Sequence, residues 1–413
     1  MIRAKNIARD WRLDPAATYR DLRESLALGR VGETGGISVE EFSLRDLAEE
    51  LIFDRDGGES CGYRFVKEVF DPTGTVSVQE SMSAVDSTAF ANITGQLLVS
   101  KVLEGYRREE FVASSLIPAQ PTRLDGEKIP GVAHTSDPGN DRMTVREGQD
   151  YPTFGFGEEY VETPSTTKRG LIIPVTKEAV FFDRTGLVTR RAAEVGEILG
   201  LNKEKRLLDV MIGATENYRR NGTALDTFYA AADTDEPWVN HLDNNALVDW
   251  TSIDAAEQLF AEMTDPNTNE PILIGGRTLF TPPHLAMTGR RLLSATETRS
   301  GTDNIVVAGN PLAGMGLTLR SSRLLYARLT AADGLGLDAA AAAGYWFYGD
   351  PTRAFAYMEN WPITVVQAAA NSEAEFTQDI VLRYKASERG AAAVLEPRTW
   401  QRHCASATSS SGT

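Results

Sequence analysis

Residues 181–213, FFDRTGLVTRRAAEVGEILGLNKEKRLLDVMIG, read as one long helix from which the rest of the chain can be placed. Asp183 or Thr185 supplies a short side-chain oxygen to cap the first-turn N–H groups. Val188, Ala192, Val195 and Leu199 recur at helical spacing, while Arg191, Glu194 and Glu197 turn elsewhere. Beyond Asn202 the apolar residues Leu207, Leu208, Met211 and Ile212 spread over several sides, which predicts deeper burial of that end. Gly213, followed by NYRRNGT, is the stop. At about 1.5 Å per residue the rod is roughly 40 Å long. Gly196 and Gly200 each cost about 1 kcal/mol against Ala in a helix interior. Their presence predicts another backbone lying close against that side.

Upstream, residues 1–80 read as an arm with short helices at Tyr19–Leu28 and after the capping box Ser38-Val-Glu-Glu41, and nothing in it would bury a large core alone. Ser87–Tyr106 is a better helix, with Phe90, Ile93, Leu97 and Val102 on one face. Residues 118–152 are dense in Pro, Gly and Asp, and loops of that length are commonly functional. Thr153–Thr163 and Thr167–Val175 carry strand-forming residues and predict a two-stranded excursion. Downstream, Ser252–Met263 is a helix with Ala255, Leu259 and Met263 inward. Thr278 begins a strand that runs into a Pro-opened helix. Asn304–Leu319 reads as strand, glycine turn, strand. Tyr345–Tyr357 and Ile363–Ala368 are further strands. The close reads as a hairpin, Ile380–Tyr384 and Ala391–Leu395 about a turn at Glu388-Arg389-Gly390.

Forty-two Lys and Arg against 58 Asp and Glu give a net charge of −16 over 413 residues. No basic patch of the kind that grips nucleic acid stands out, and an acidic surface would let a polyanion slide past. Cys61 and Cys404, the two cysteines, have no metal-type spacing and suit a reducing compartment. No apolar run approaches the roughly 20 residues that span a bilayer, and the start lacks the apolar core of a signal peptide. The expectation is a soluble, cytoplasmic product.

Chemistry-bearing motifs are present but misplaced. Gly58-Glu-Ser60-Cys-Gly62 matches G-x-S-x-G, yet polar residues precede it and a strand follows, where a nucleophile elbow needs a buried strand and then a helix. Gly334-Leu-Gly336-Leu-Asp-Ala339 resembles a dinucleotide fingerprint without the surrounding βαβ unit. His134, His241, His284 and His403 are scattered, with no paired spacing for zinc. Glu197, Glu204 and Asp209 would be catalytic acids only if the long helix faced a cleft; a solvated or intersubunit face is the default. No cofactor or metal is implied, and the chain reads as no enzyme.

The order arm, projecting loop, long helix, mixed domain and returning strand resembles the major capsid protein of tailed bacteriophages, the Hong Kong 97-type fold. EVGEILGLNKEKRLLDVMIG is similar to that family's spine helix, and DNIVVAGNPLAGMGLTLRSSRLL to the strand, glycine turn and strand of its axial domain. GDPTRAFAYMENWPITVV and DIVLRYKASERGAAAVLEPRTW resemble its return into the peripheral domain, with the ending Val394-Leu395-Glu396-Pro397. The likeness covers roughly residues 85–402. It implies an α+β fold with an arm (1–80), a peripheral domain (81–123 and 171–221, the latter with the spine helix), an extended loop (124–170), an axial domain (222–350), a return (351–402) and a flexible tail (403–413).

The resemblance also implies a function. Copies would join as hexamers and pentamers of an icosahedral shell, each subunit touching its neighbours through arm and loop. The shell would assemble in the host cytoplasm and enclose double-stranded DNA without specific binding. Scaffold, portal and decoration proteins are further partners implied. Gly196 and Gly200 become structural sites of close backbone approach, to the subunit's own sheet or a neighbour's arm, and Lys128 and Lys168 are candidate donors for the loop cross-links some members form. The rival readings are an encapsulin-type compartment, a portal or tail protein, and a serine hydrolase or maturation protease using Ser60.

Overall fold

The computed structural model describes residues 98–134, 145–150, 156–176, 187–215, 218–231, 238–264, 271–300, 306–367 and 380–405. The arm, Ser60, the caps Asp183 and Thr185, and the end of the tail lie outside the described residues. In chain order come helices α1 (98–106) and α2 (Val112–Leu116), strands β1 (Ala119–Pro121), β2 (Lys128–His134), β3 (Phe156–Glu162) and β4 (Thr167–Thr176), and the long helix α3 (Leu187–Ile212). β5 (Tyr218–Arg220), β6 (Thr223–Leu225) and β7 (His241–Leu242) lead to α4 (Trp250–Ala261), β8 (Thr278–Thr281) and α5 (Pro283–Ser294). β9 (Glu297–Ser300), β10 (Val306–Gly309) and β11 (Thr318–Ser321) precede α6 (Arg323–Thr330), α7 (Ala339–Ala343), β12 (Trp346–Gly349) and α8 (Pro351–Ala354). β13 (Phe355–Gln367), β14 (Ile380–Val394) and β15 (Trp400–His403) complete an α+β chain.

Two compact units share these elements. The first takes the described residues up to Arg108, Lys168–Leu201 and Trp361–Glu388; the second takes Glu109–Thr167, Asn202–Asn360 and the described residues from Arg389. The division falls inside α3 and inside both long strands.

In the first unit α1 lies against the first half of α3, with Leu98, Val102, Ala192 and Leu199 buried. β4 pairs with β14. Gly170 of β4 passes so close to Ala386 and Ser387 that a Cβ there would overlap them. β4 is therefore not half of a two-stranded excursion. The pair that forms is β2 with β3, antiparallel from Lys128↔Glu162 to His134↔Phe156, in the second unit. β2 was hidden by Pro130 and Gly131, which read as turn residues. Pro130 is tolerated because β2 is the edge of the sheet β2-β3-β5-β6, where a missing N–H breaks no ladder.

The turn joining β5 and β6 is Asn221-Gly222, both at positive φ (50° and 84°), the type I′ hairpin signature. The same NG had read only as part of a helix stop. Asn221 Oδ1 accepts from the Tyr160 N–H at 3.0 Å and fastens that hairpin to β3. The helix stop itself is Gly213, with φ of 74°.

The five-stranded sheet β11-β8-β12-β15-β7 anchors the second unit. All four residues of central β12 are buried, since layers cover both its faces. Trp346 and Tyr348 pack with Ile253, Ala256 and Phe260 of α4. Phe347 faces the other way, onto Leu207, Met211 and Trp400. The α4 face is thus Ile253, Ala256 and Phe260, one position on from Ala255 and Leu259, both only half-buried. Pro283 opens α5 as expected. Trp400 stacks on Phe347 at 6.2 Å and donates its Nε1–H to Met211 O at 3.2 Å, which holds the buried end of α3 to β15.

The closing hairpin is absent. Ile380–Val394 is one continuous strand. Glu388 is buried and accepts from the Tyr106 hydroxyl, Arg389 meets Thr166 Oγ1 at 2.9 Å and Asp125 at 3.3 Å, and Gly390 makes room for the Tyr357 ring. Glu-Arg-Gly resembles a turn only while its distant partners are unknown. Tyr345–Tyr357 likewise resolves into β12, a one-turn helix capped by Asp350, and the start of β13. That strand runs through Pro362 to Gln367, so Ile363 begins no separate strand.

His403 is fully buried, stacked on Trp346 at 4.1 Å. Its Nδ1 faces the Asn245 amide at 3.3 Å and its Nε2 faces Gln401 Oε1 at 3.1 Å, so the neutral ring satisfies both neighbours. Burial first, then the nearby His241, push its pKa down to about 3, against 6.5 ordinarily. A depressed histidine lets the unfolded chain take up a proton first, so this stability is present above pH 6.5 and is lost as pH falls toward 3. Urea titrations at pH 7.5 and 5 should differ by about 2 kcal/mol from this ring. His403→Gln should flatten that acid limb, and an unchanged slope would contradict the assignment.

Candidate functional site

The residues singled out on the long helix meet two fates. Gly196 is buried against α1, where an added Cβ would overlap the Val102 carbonyl oxygen. Gly105 repays the contact: a Cβ there would overlap the Ala193 carbonyl oxygen. Two helix backbones therefore touch at paired glycines, within one subunit and against a helix, where a sheet or a neighbour's arm had been expected. Gly105 had no signal of its own in the sequence. Gly200 is buried one turn further on.

Of the three acids singled out on the helix, Glu204 and Asp209 serve the fold, so a solvated or intersubunit face is wrong for those two. Glu204 has no exposed surface; its carboxylate accepts from Ala113 N at 2.6 Å, Ser114 N at 2.8 Å and Ser114 Oγ at 2.7 Å. Burial raises its pKa above the usual carboxylate range, and those donors oppose the rise. Asp209 holds Arg328 Nε at 2.6 Å, and the same guanidinium reaches Asp333 at 3.0 Å. Glu197 keeps to solvent and pairs with Arg108 at 2.6 Å.

Lys128 and Lys168 lie in different units, both exposed. Lys128 sits opposite Glu162 across the β2–β3 register, 3.1 Å from its carboxylate and 4.2 Å above the Tyr160 ring. The Glu162 hydrogen bond, then that of Tyr160, hold its pKa above the ordinary lysine value. Those contacts favour the ammonium form, which is no nucleophile. Lys168 is near the start of β4.

The scattered histidines are partly gathered. Parallel pairing of β15 with β7 places Arg402 beside His241, and His241, Asp243 and Cys404 come together. Cys404 Sγ lies 3.1 Å from Asp243 Oδ1, and His241 Nε2 lies 3.4 Å from the same oxygen. The donor set argues against a metal. A ligating imidazole donates its other N–H to an acceptor, whereas His241 Nδ1 faces the Arg402 guanidinium at 2.9 Å. Nδ1 must therefore accept, and the proton sits on Nε2, toward Asp243. Burial and that guanidinium lower the His241 pKa to about 4, and the cluster reads as a structural polar group. Gly334–Ala339 packs back onto α6, with Leu335 N donating to Arg328 O and Asp338 capping the five alanines of α7. That loop has no preceding strand to serve a dinucleotide.

The glycine crossing makes a prediction of sign. Gly→Ala inside a helix ordinarily stabilises by about 1 kcal/mol; Gly196→Ala should instead destabilise the subunit by about 1–3 kcal/mol through overpacking. Thermal unfolding of the two proteins decides it, and a raised midpoint would show that the helices do not touch there.

The comparisons with known proteins come to this geometry from outside. The cyanophage Pam1 capsid shares 14% identity at a TM-score of 0.45, covering 73% of this chain and 93% of that one. The capsid of the native GTA particle shares 10% at 0.44, with 73% and 91% covered. An encapsulin of Synechococcus elongatus shares 10% at 0.39, with 73% and 90% covered. No curated protein matches. The family model described as phage capsid protein matches residues 159–403, more than half the chain and both long strands, α3 and the five-stranded sheet included. The chain belongs to the phage capsid protein family.

Proposed function

We propose that this chain is the major structural subunit of a tailed-phage head. Its copies join as hexamers and pentamers of an icosahedral shell in the virion, built in the host cytoplasm, which encloses double-stranded DNA without recognising sequence. The family match over residues 159–403 carries the reading. The roles follow from it. Residues 124–170 form the loop laid over a neighbour, and 222–350 form the domain that gathers at local symmetry axes. Residues 1–80 cross a further neighbour. A net charge of −16 supports enclosure without adhesion. The subunit works by shape, and no step of covalent chemistry is assigned to it.

Electron microscopy of the purified full-length chain tests this. Closed particles of uniform diameter are expected. Single rings would indicate a portal-like part, and closed, DNA-free particles loaded with enzyme in the producing cell would indicate a compartment; either result overturns the reading. Removing residues 1–60 should leave a folded subunit with a large loss of particle yield.

A further inference from the structure

Charge is sorted along the second unit. Residues 221–276 contain eleven Asp and Glu and neither Lys nor Arg, whereas residues 277–330 contain seven Arg against two acids. The overall acidity of the chain hides this, and the expectation that no basic patch exists is corrected by it. Among the described residues, the two blocks lie over different strands of the five-stranded sheet. α4, from the acidic block, covers the β12 and β15 part of the sheet: Gln401 Nε2 donates to Ala256 O at 3.0 Å, and Tyr348 donates to Glu257 at 2.6 Å. α5, from the basic block, lies on β8 and β11, with Gly289 against Leu319 and Leu279. The sheet ends in β7 on the acidic side and in β11 on the basic side. Five strands at about 4.8 Å spacing put those edges roughly 19 Å apart.

Both poles are open. Arg290 and Arg291 of α5 and Arg320 of β11 are exposed, as are Asp254 and Glu262 at α4. Among the described residues none of these five forms an ion pair, although the same unit pairs Arg328, Arg389 and Arg398 with acids. Unpaired arginines on one flank and unpaired carboxylates on the other let the acidic flank of one copy complement the basic flank of the next. That is the condition for a head-to-tail contact, which closes into a ring when the rotation allows.

We infer that the acidic flank at α4 of one copy docks on the basic flank at α5 and β11 of the next, so that charge sets the direction of subunits around a ring. The inference rests on the shell reading and names the surface by which subunits meet. A polyanion such as DNA is the other occupant the arginines could take, but it would leave the matching acidic flank without a role.

Charge reversal is the test. Arg290→Glu with Arg291→Glu, and separately Asp254→Arg with Glu262→Arg, should each give subunits with wild-type circular dichroism and melting but at least tenfold fewer particles by sedimentation and electron microscopy. The chain carrying all four changes should assemble again. Wild-type assembly should also weaken with added salt, since exposed pairs are screened beyond about 10 Å at 0.1 M. Either double variant assembling like wild type, or the fourfold variant failing as the double variants do, overturns the pairing. Wild-type protein that never assembles would instead sink the shell reading, which keeps the two failures distinct.

Discussion

The close passage of two helices at Gly105 and Gly196 is the constraint from which the first unit follows. Helices that touch by backbone cannot be spaced by side chains, so their separation is set by covalent geometry and tolerates no added methyl. Further along, the same helix changes strategy. Glu204 is buried and tethers the chain at 113–114, while Leu207, Leu208, Met211 and Ile212 disappear into the core beneath Trp400. One 26-residue helix thus makes backbone contact with its first half and a full side-chain core with its second.

The helix, its end at Gly213 and the greater burial of its far half were legible because they depend on local periodicity and on one glycine. The strand into the Pro-opened helix at 278–294 was legible for the same reason. Failures concentrate where remote partners override local chemistry. Glu388-Arg389-Gly390 has the composition of a turn, yet Tyr106, Asp125, Thr166 and Tyr357 hold it as the middle of a strand. Pro130 disguised β2, since whether a proline is allowed depends on its strand being an edge. Asn221-Gly222 was a missed signal, a strong hairpin motif read only as the end of a helix.

Among the candidate sites, Gly196 could be read from its cost in a helix, but Gly105 and the buried role of Glu204 could not, because each is defined by a residue about ninety positions away. The grouping of His241 with Asp243 and Cys404 needs the parallel pairing of β7 and β15, which no spacing announces. The division of charge between 221–276 and 277–330 was in plain view in the sequence and was averaged away by the total.

An exposed sheet edge is a hazard for any folded chain. The hairpin β2–β3 presents an outer strand, and an open strand edge is a template for indefinite stacking. Pro130 deletes one donor from that edge midway along it, opposite Tyr160. Among the described residues no strand pairs with that edge, and a second hairpin arriving edge-on would find the ladder interrupted. The residue that hides the strand in the sequence also takes one donor from its outer edge.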